Sequence, residues 1–450
     1  MSEPTVPTSP AGTAPVPAKP ADLRRTILGA SVGNIIEQYD FAIYSSIAAL
    51  VFGKVFFPEL GTVTALLASF STYAVGFLAR PLGGVISGHF GDLYGRKKLL
   101  VAMLLTAGLA TTLIGVIPTY ASIGFWAPLL LVLLRFVQGV SYGGEYSGAV
   151  LMVNESAPRR RSGFYTGFVP ASSSIGVVLA NFVILLCALM PAEQFRTWGW
   201  RMPFLASIVL VVVGLVIRAR MAESGAFSTM KAAASDKAKR RPVVEAIKEN
   251  PKEIVLVLGV CLGFGAVNYV LVAWVLSYLK VSGLASAQVG LIGLVVGQCC
   301  YAVSTLVSSA VSDRVGRRTV MLAGASVFVV LAFPLFWLIG TGNPVLIWLA
   351  MALGLVAAGM VYGPMSSLMC ELFATKHRYS GSSAGVQVGL TLGGGLSPLV
   401  ATSLFGLTGT TWSISLLLAV AGAVCLVSVY FVDEPGALRA RASELAAVES

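Results

Sequence analysis

Charge is what this sequence has least of. Of 450 residues, 31 are Lys or Arg and 20 are Asp or Glu, 11% together, against 56% hydrophobic residues and a mean hydropathy of +0.84. Soluble domains carry about 25% charged residues, so a water-covered globular surface is excluded. Histidine is scarcer still: His89 and His377 are the only two, both at ends of apolar runs, which places them away from an interior proton path. The six cysteines, Cys187, Cys261, Cys299, Cys300, Cys370 and Cys425, show no C-x-x-C spacing. That argues against a metal site or disulfide framework and for small packing residues. Neither an H-E-x-x-H sequence nor a phosphate-cradling G-x-x-x-x-G-K-[ST] sequence occurs. Without them a metalloprotease and an ATP-driven pump are excluded, and no cofactor or metal is expected.

What the chain has instead is long apolar runs, each near the roughly 20 residues that cross a hydrocarbon core of about 30 Å. They predict spans near 26–52, 64–91, 99–118, 123–153, 163–190, 201–219, 254–279, 286–311, 319–340, 344–371, 381–406 and 411–432. An even count puts both termini on one side. The net charge of +11 sits in short turns rather than on a face, which excludes a nucleic-acid partner. Arg96, Lys97 and Lys98; Arg159, Arg160 and Arg161; Arg314, Arg317 and Arg318; and Lys376 and Arg378 all fall in alternate turns. Those turns and both termini are therefore expected to be cytoplasmic. Residues 1–22, rich in Pro, Ala and Thr, read as a disordered tail rather than a signal peptide, because the first apolar run is too long for one. A six-helix bundle over 23–220, a basic linker over 221–252, a second bundle over 253–433 and a tail over 434–450 complete the division.

Two echoes support it. Asp92 to Lys98 reads D-L-Y-G-R-K-K and Asp313 to Arg318 reads D-R-V-G-R-R, 313 − 92 = 221 residues later. Glu155 to Gly163 (E-S-A-P-R-R-R-S-G) and Glu371 to Gly381 (E-L-F-A-T-K-H-R-Y-S-G) both follow the fourth span of a half. With Gly88 ahead of Asp92, the first turn resembles the signature between helices two and three of the major facilitator superfamily, departing at Leu93, where a basic residue is usual. The second copy has Ser309 in place of the leading glycine. More narrowly, Gly33-Asn34-Ile35-Ile36-Glu37-Gln38-Tyr39-Asp40-Phe41, Arg80-Pro81-Leu82-Gly83-Gly84 and Arg135-Phe136-Val137-Gln138-Gly139 with Gly143-Gly144-Glu145 resemble the metabolite:proton symporter family, which includes carriers of shikimate, 2-oxoglutarate, citrate, dicarboxylates, and proline or betaine. The resemblance implies an all-α membrane protein of twelve transmembrane helices in two pseudo-symmetric six-helix bundles, in a bacterial inner membrane, working as a monomer. It also implies a cytoplasmic gate in which Asp92, Arg96, Glu155, Asp313, Arg317 and Glu371 latch the two halves.

A fold alone does not name a function. Ionisable residues at membrane depth cost about 2.5 kcal/mol or more each and are functional candidates by default. Asn34, Glu37, Asp40, Phe41 and Tyr44 recur at helical spacing in the first span, as do Arg135, Gln138, Tyr142 and Glu145 in the fourth, while Arg80 lies inside the second. At about 1.5 Å per residue, Glu37, Asp40 and Arg135 come to mid-membrane. This predicts a cavity-facing site in which Asp40, with Glu37 as second choice, binds a proton and so releases Arg135 to meet substrate. The second half offers neutral polar groups at that depth, Asn268, Gln298, Tyr301, Tyr362 and Gln387, which with Asn181 in the first half are expected to orient a solute. The resulting expectation is proton-coupled symport of a small organic acid, shikimate-like or dicarboxylate. Uptake of a zwitterionic osmolyte such as proline or betaine is the alternative, less favoured because only about 17 residues follow Asp433, without sustained heptads; a transporter-like sensor is a further one.

Overall fold

Apolar runs this long leave the backbone no partner in lipid except itself, so helices are the only open-ended solution. The computed structural model describes residues 20–84, 86, 96–143, 145–219, 248–373 and 378–433. Most of the tail 1–22, the linker up to 247, the tail 434–450, and Asp92, His89 and His377 lie outside them. Among the described residues, eleven helices are long and apolar enough to span a membrane. In the first half these are α1 (Leu23–Phe56), α2 (Thr62–Gly84), α4 (Trp126–Ser156), α5 (Ser162–Cys187) and α6 (Gly199–Ile217). In the second they are α7 (Pro251–Ser282), α8 (Ala287–Val315), α9 (Arg317–Gly340), α10 (Pro344–Leu372), α11 (Gly381–Thr408) and α12 (Trp412–Tyr430). The remaining span is α3 (Arg96–Ile114), of which Val101–Ile114 is apolar.

The span ends differ from expectation by a few residues, for local reasons. The last helical turn of α1 runs on to Phe56 because a π-helical segment, Ala48–Phe52, carries the chain past position 52. Pro251 starts α7 early, since proline at a first helical position lacks only an N–H that has no helical partner anyway. A second π-segment interrupts α7 at Val270–Trp274, and 270 − 48 = 222 residues separate it from the first. The repeat seen in the charged turns therefore extends to the same irregularity in the same place of each half. Three Gly-x-Ser-x-Gly strings, Gly29 to Gly33, Gly139 to Gly143 and Gly381 to Gly385, lie within spanning or helical segments and not on the strand-to-helix turn that a hydrolase nucleophile needs.

Within the halves α1 packs on α5, α3 on α6, α8 on α10, and α9 on α10 and α12. Between them α5 packs on α8, α2 on α11, α1 on α7, and α4 on α10 and α11. These contacts surround a central cavity to which both halves contribute.

Candidate functional site

On α1, with 100° per residue, Asn34, Glu37, Gln38, Phe41, Ala42 and Ser45 form one stripe, and all six line the central cavity. Tyr73 and Arg80 from α2, Tyr146 from α4, and Ser173 and Val177 from α5 complete the first half's wall. The second half supplies Phe264, Asn268, Tyr269 and Val272 from α7, Gln298 and Tyr301 from α8, Tyr362 from α10, and Val386, Gln387 and Leu390 from α11. The cavity offers about 40 Å3 to the centres of water-sized molecules, enough for a few waters at about 10–15 Å3 each.

Among the described residues two charges stand on this wall, and they are partners. Arg80 Nη2 lies 2.7 Å from Glu37 Oε1, both side chains almost fully buried. The Arg80 guanidinium also sits 4.3 Å from the Phe41 ring centre and 4.5 Å from that of Phe77, a placement that adds attraction to the ring faces. The approach of α2 to α4 makes this possible: a Cβ on Gly83 would run into the Val140 carbonyl, and one on Gly143 into the Arg80 carbonyl. Small residues let the backbones touch.

Asp40 does not share that wall. Three-residue steps fall about 60° short of a full turn, so along Asn34, Glu37 and Asp40 the side chains rotate by about 120° in all. Asp40 consequently points into the first bundle, where its Oδ2 accepts from Tyr142 OH and, at 2.8 Å, from Thr111 Oγ1. Gln138 Nε2 donates to Thr111 Oγ1 at 2.6 Å, and Arg135 Nη1 donates to Gln138 Oε1. The expected direct pairing of Asp40 with Arg135 is thus replaced by a relay through two neutral side chains. Arg135 is fully buried, its guanidinium 3.8 Å from the Tyr44 ring centre and 4.7 Å from that of Phe41. Its Nε and Nη2, like Asp40 Oδ1, have no hydrogen-bond partner among the described residues. Phe41 is in contact with both guanidiniums, and so joins the cavity pair to the inner network.

The remaining expected residues divide in the same way. Asn34, Glu37, Arg80, Asn268, Gln298, Tyr301, Tyr362 and Gln387 line the cavity, whereas Asp40, Tyr44, Arg135, Gln138, Tyr142, Glu145 and Asn181 do not. Asn34 also donates to the Val169 carbonyl at 2.7 Å, and Asn181 accepts from Ser46 at 2.9 Å, so each ties α1 to α5. Tyr44 meets Thr72 at 2.5 Å. Tyr146, Phe264 and Ser173 are wall residues that sequence reasoning missed; aromatic side chains in an apolar run carry no periodic signal of their own. Gln387 Nε2 crosses to the Gly143 carbonyl at 3.0 Å.

Contacts between the bundles are made at both ends of the cavity. At one, Asp313 at the end of α8 accepts from the backbone N–H groups of Gly163 and Phe164, both at 2.9 Å, at the start of α5. An anion is favoured at such a helix N-terminus. Arg317 holds Asp313 at 2.6 Å and Glu371 at 3.4 Å, and donates to Ser162 at 3.1 Å. Asp313, Arg317 and Glu371 are therefore brought together. Glu155 is exposed, while Asp92 and the side chain of Arg96 lie outside the described residues. At the other end, Lys280 donates to the Leu50 carbonyl and, at 3.5 Å, to that of Ala49, within the first π-segment.

Comparison with known proteins agrees with this architecture. The chain matches the Major Facilitator Superfamily over residues 30–386 and 296–448. It is 38% identical over 409 residues to the Shikimate transporter of Escherichia coli (strain K12), covering 90% of this chain and 92% of that protein. It is 34% identical over 388 residues to the Proline/betaine transporter of Salmonella typhimurium, covering 84% and 77%. A solved structure of a D-xylose-proton symporter superposes with a TM-score of 0.73 at 18% identity, covering 92% of this chain and 98% of that one.

Proposed function

Since the chain belongs to the Major Facilitator Superfamily, among metabolite transporters with shikimate and proline/betaine carriers as relatives, we propose that it is a proton-coupled symporter of a small organic acid. It is a multi-pass membrane transporter and not an enzyme. The observation that carries the reading is the Glu37–Arg80 pair on the wall of a cavity shared by both halves. A substrate carboxylate has one cation to meet there among the described residues, Arg80, and must compete with Glu37 for it. The four buried charges of the first half, Glu37, Asp40, Arg80 and Arg135, sum to zero when all are ionised. One carboxylate entering with one proton keeps that sum, which is the electrostatic reason for coupling in a medium where an unpaired charge is expensive.

Asp40 is the proton carrier in this reading and Glu37 the alternative. The free Oδ1 of Asp40 supports the assignment, as does its link through Thr111 and Gln138 to Arg135. Protonation loosens Asp40's hold on that relay, and Phe41, touching both guanidiniums, passes the change to Arg80. Alternating access follows from the two closures: the Asp313–Arg317 end opens in one state and the Lys280 end in the other. In this reading the Asp313 end and both termini face the cytoplasm of a bacterial cell, which the basic turns support, and the monomer is the working unit. The test is uptake of labelled shikimate into liposomes holding the purified protein, with an acid-outside gradient imposed. Accumulation that collapses with a proton ionophore is expected; uptake indifferent to the gradient overturns the proposal. Carriage of betaine instead, with the same proton dependence, selects the osmolyte reading.

A further inference from the structure

Three rings in the cavity wall lie nearly parallel. Phe264 and Tyr362 stack with centroids 4.2 Å apart and planes 8° from parallel. Tyr146 lies on Tyr362 at 5.6 Å and 20°. The two contacts differ in kind: Phe264 and Tyr362 both belong to the second half, whereas Tyr146 belongs to α4 of the first. The Tyr146–Tyr362 contact therefore crosses between the parts that separate during transport, and the Tyr146 hydroxyl lies 3.0 Å from Ser366 across the same gap. All three rings line the cavity.

We infer that the substrate is a flat, ring-bearing monocarboxylate with a hydroxyl group, its ring entering between Tyr146 and Tyr362. This deepens the organic-acid reading above and rests on it. Two near-parallel rings form a slot, which suits a plate; a trimethylammonium group is held instead by ring faces arranged as a box. The faces nearest Arg80, those of Phe41 and Phe77, are already occupied by its guanidinium. A ring inserted in the slot replaces one stacking contact by two, so the separation of the halves that admits it is offset by the ligand itself. Charge sets the number of carboxylates: Arg80 is the one cation on the wall among the described residues, and a second carboxylate has no partner. Gln387 points to the hydroxyl. Its Nε2 is taken by the Gly143 carbonyl, while its Oε1 is buried with no hydrogen-bond partner among the described residues. A donor on the substrate satisfies that acceptor; an unsatisfied one is disfavoured.

The experiment measures binding of shikimate, 4-hydroxybenzoate, benzoate, cyclohexanecarboxylate, hexanoate, succinate and glycine betaine to the purified full-length protein by calorimetry. The flat, hydroxylated 4-hydroxybenzoate is expected to bind most tightly, with shikimate, whose half-chair ring is planar only about its double bond, and benzoate weaker, and puckered cyclohexanecarboxylate weaker again. In Tyr146→Ala the flat acids lose about three- to tenfold in affinity, the scale of one aromatic contact, while hexanoate changes less than twofold; Tyr146→Phe restores the flat acids. Succinate or betaine bound more tightly than every flat acid overturns the inference, as does absence of binding by all flat acids, or equal losses for hexanoate and the flat acids in Tyr146→Ala. Proton-driven uptake of succinate or betaine leaves the symporter reading intact while removing this one. Tight binding of flat acids without proton-driven uptake does the reverse.

Discussion

The two halves share a fold and a repeat but not a chemistry. At mid-depth the first half buries Glu37, Asp40, Arg80 and Arg135, while the second presents Asn268, Gln298, Tyr301, Tyr362 and Gln387. At the Asp313 end the balance is reversed: α8, α9 and α10 bring Asp313, Arg317 and Glu371, and the first half answers with backbone N–H groups and a serine hydroxyl. Duplication thus supplied two scaffolds, and among the described residues the charges at the cavity and at the Asp313 end face neutral dipoles of the other half. A neutral partner adapts its hydrogen bonds as the halves move, whereas two opposite charges across the seam would hold it shut.

The largest effect should come from Arg80→Ala. It leaves Glu37 buried without its cation, and breaking a buried pair destabilises by about 3–5 kcal/mol. Thermal unfolding should show that loss and uptake should vanish; an Arg80→Ala protein with undiminished uptake would break the contrast between the halves outright. Next is Asp40→Asn, expected to abolish accumulation driven by a proton gradient while retaining exchange of substrate across the membrane. Persistence of gradient-driven accumulation in this variant, together with its loss in Glu37→Gln, would move the proton to Glu37. Asp313→Asn removes charge-assisted hydrogen bonds of about 1.5–3 kcal/mol and should open the Asp313 end, seen as faster labelling of a cysteine placed at Ser173 by a thiol reagent applied from that side. Lys280→Gln should do the same for the opposite end, more weakly, since one donor to a carbonyl contributes about 1 kcal/mol. Smallest is Gln298→Ala in the neutral half, a few-fold rise in KM with the pH profile of uptake unchanged. A shifted profile there would show that the second half takes part in coupling.

Much of this was legible before any coordinates. Apolar runs of spanning length gave the helices, and the recurrence of the Asp-x-x-Gly-Arg turn gave the division into halves. Acidic and basic residues at mid-depth marked the first half as the charged one. The partners of those charges were not legible. Glu37 and Asp40 are three residues apart and look equivalent in sequence, yet one meets Arg80 on the cavity wall and the other meets Tyr142 and Thr111 behind it. The rotation of about 60° between them is visible in the helical period; which neighbouring helix stands opposite each is not. Tyr146 and Tyr362, 216 residues apart by subtraction, give no linear sign that their rings meet.

Sequence by itself determined that the chain lives in lipid, that its apolar runs form helices of spanning length and where the repeat falls. All of these follow from local quantities: transfer free energy per residue, rise per residue and the recurrence of a charged turn. Tertiary structure alone decided that Glu37 is held by Arg80 and Asp40 by a relay, that three aromatic rings stack across the seam, and that Asp313 caps a helix of the other half. Contacts of this kind depend on the angle and distance between helices far apart in the chain, which close packing of glycines such as Gly83 and Gly143 sets and no single segment encodes.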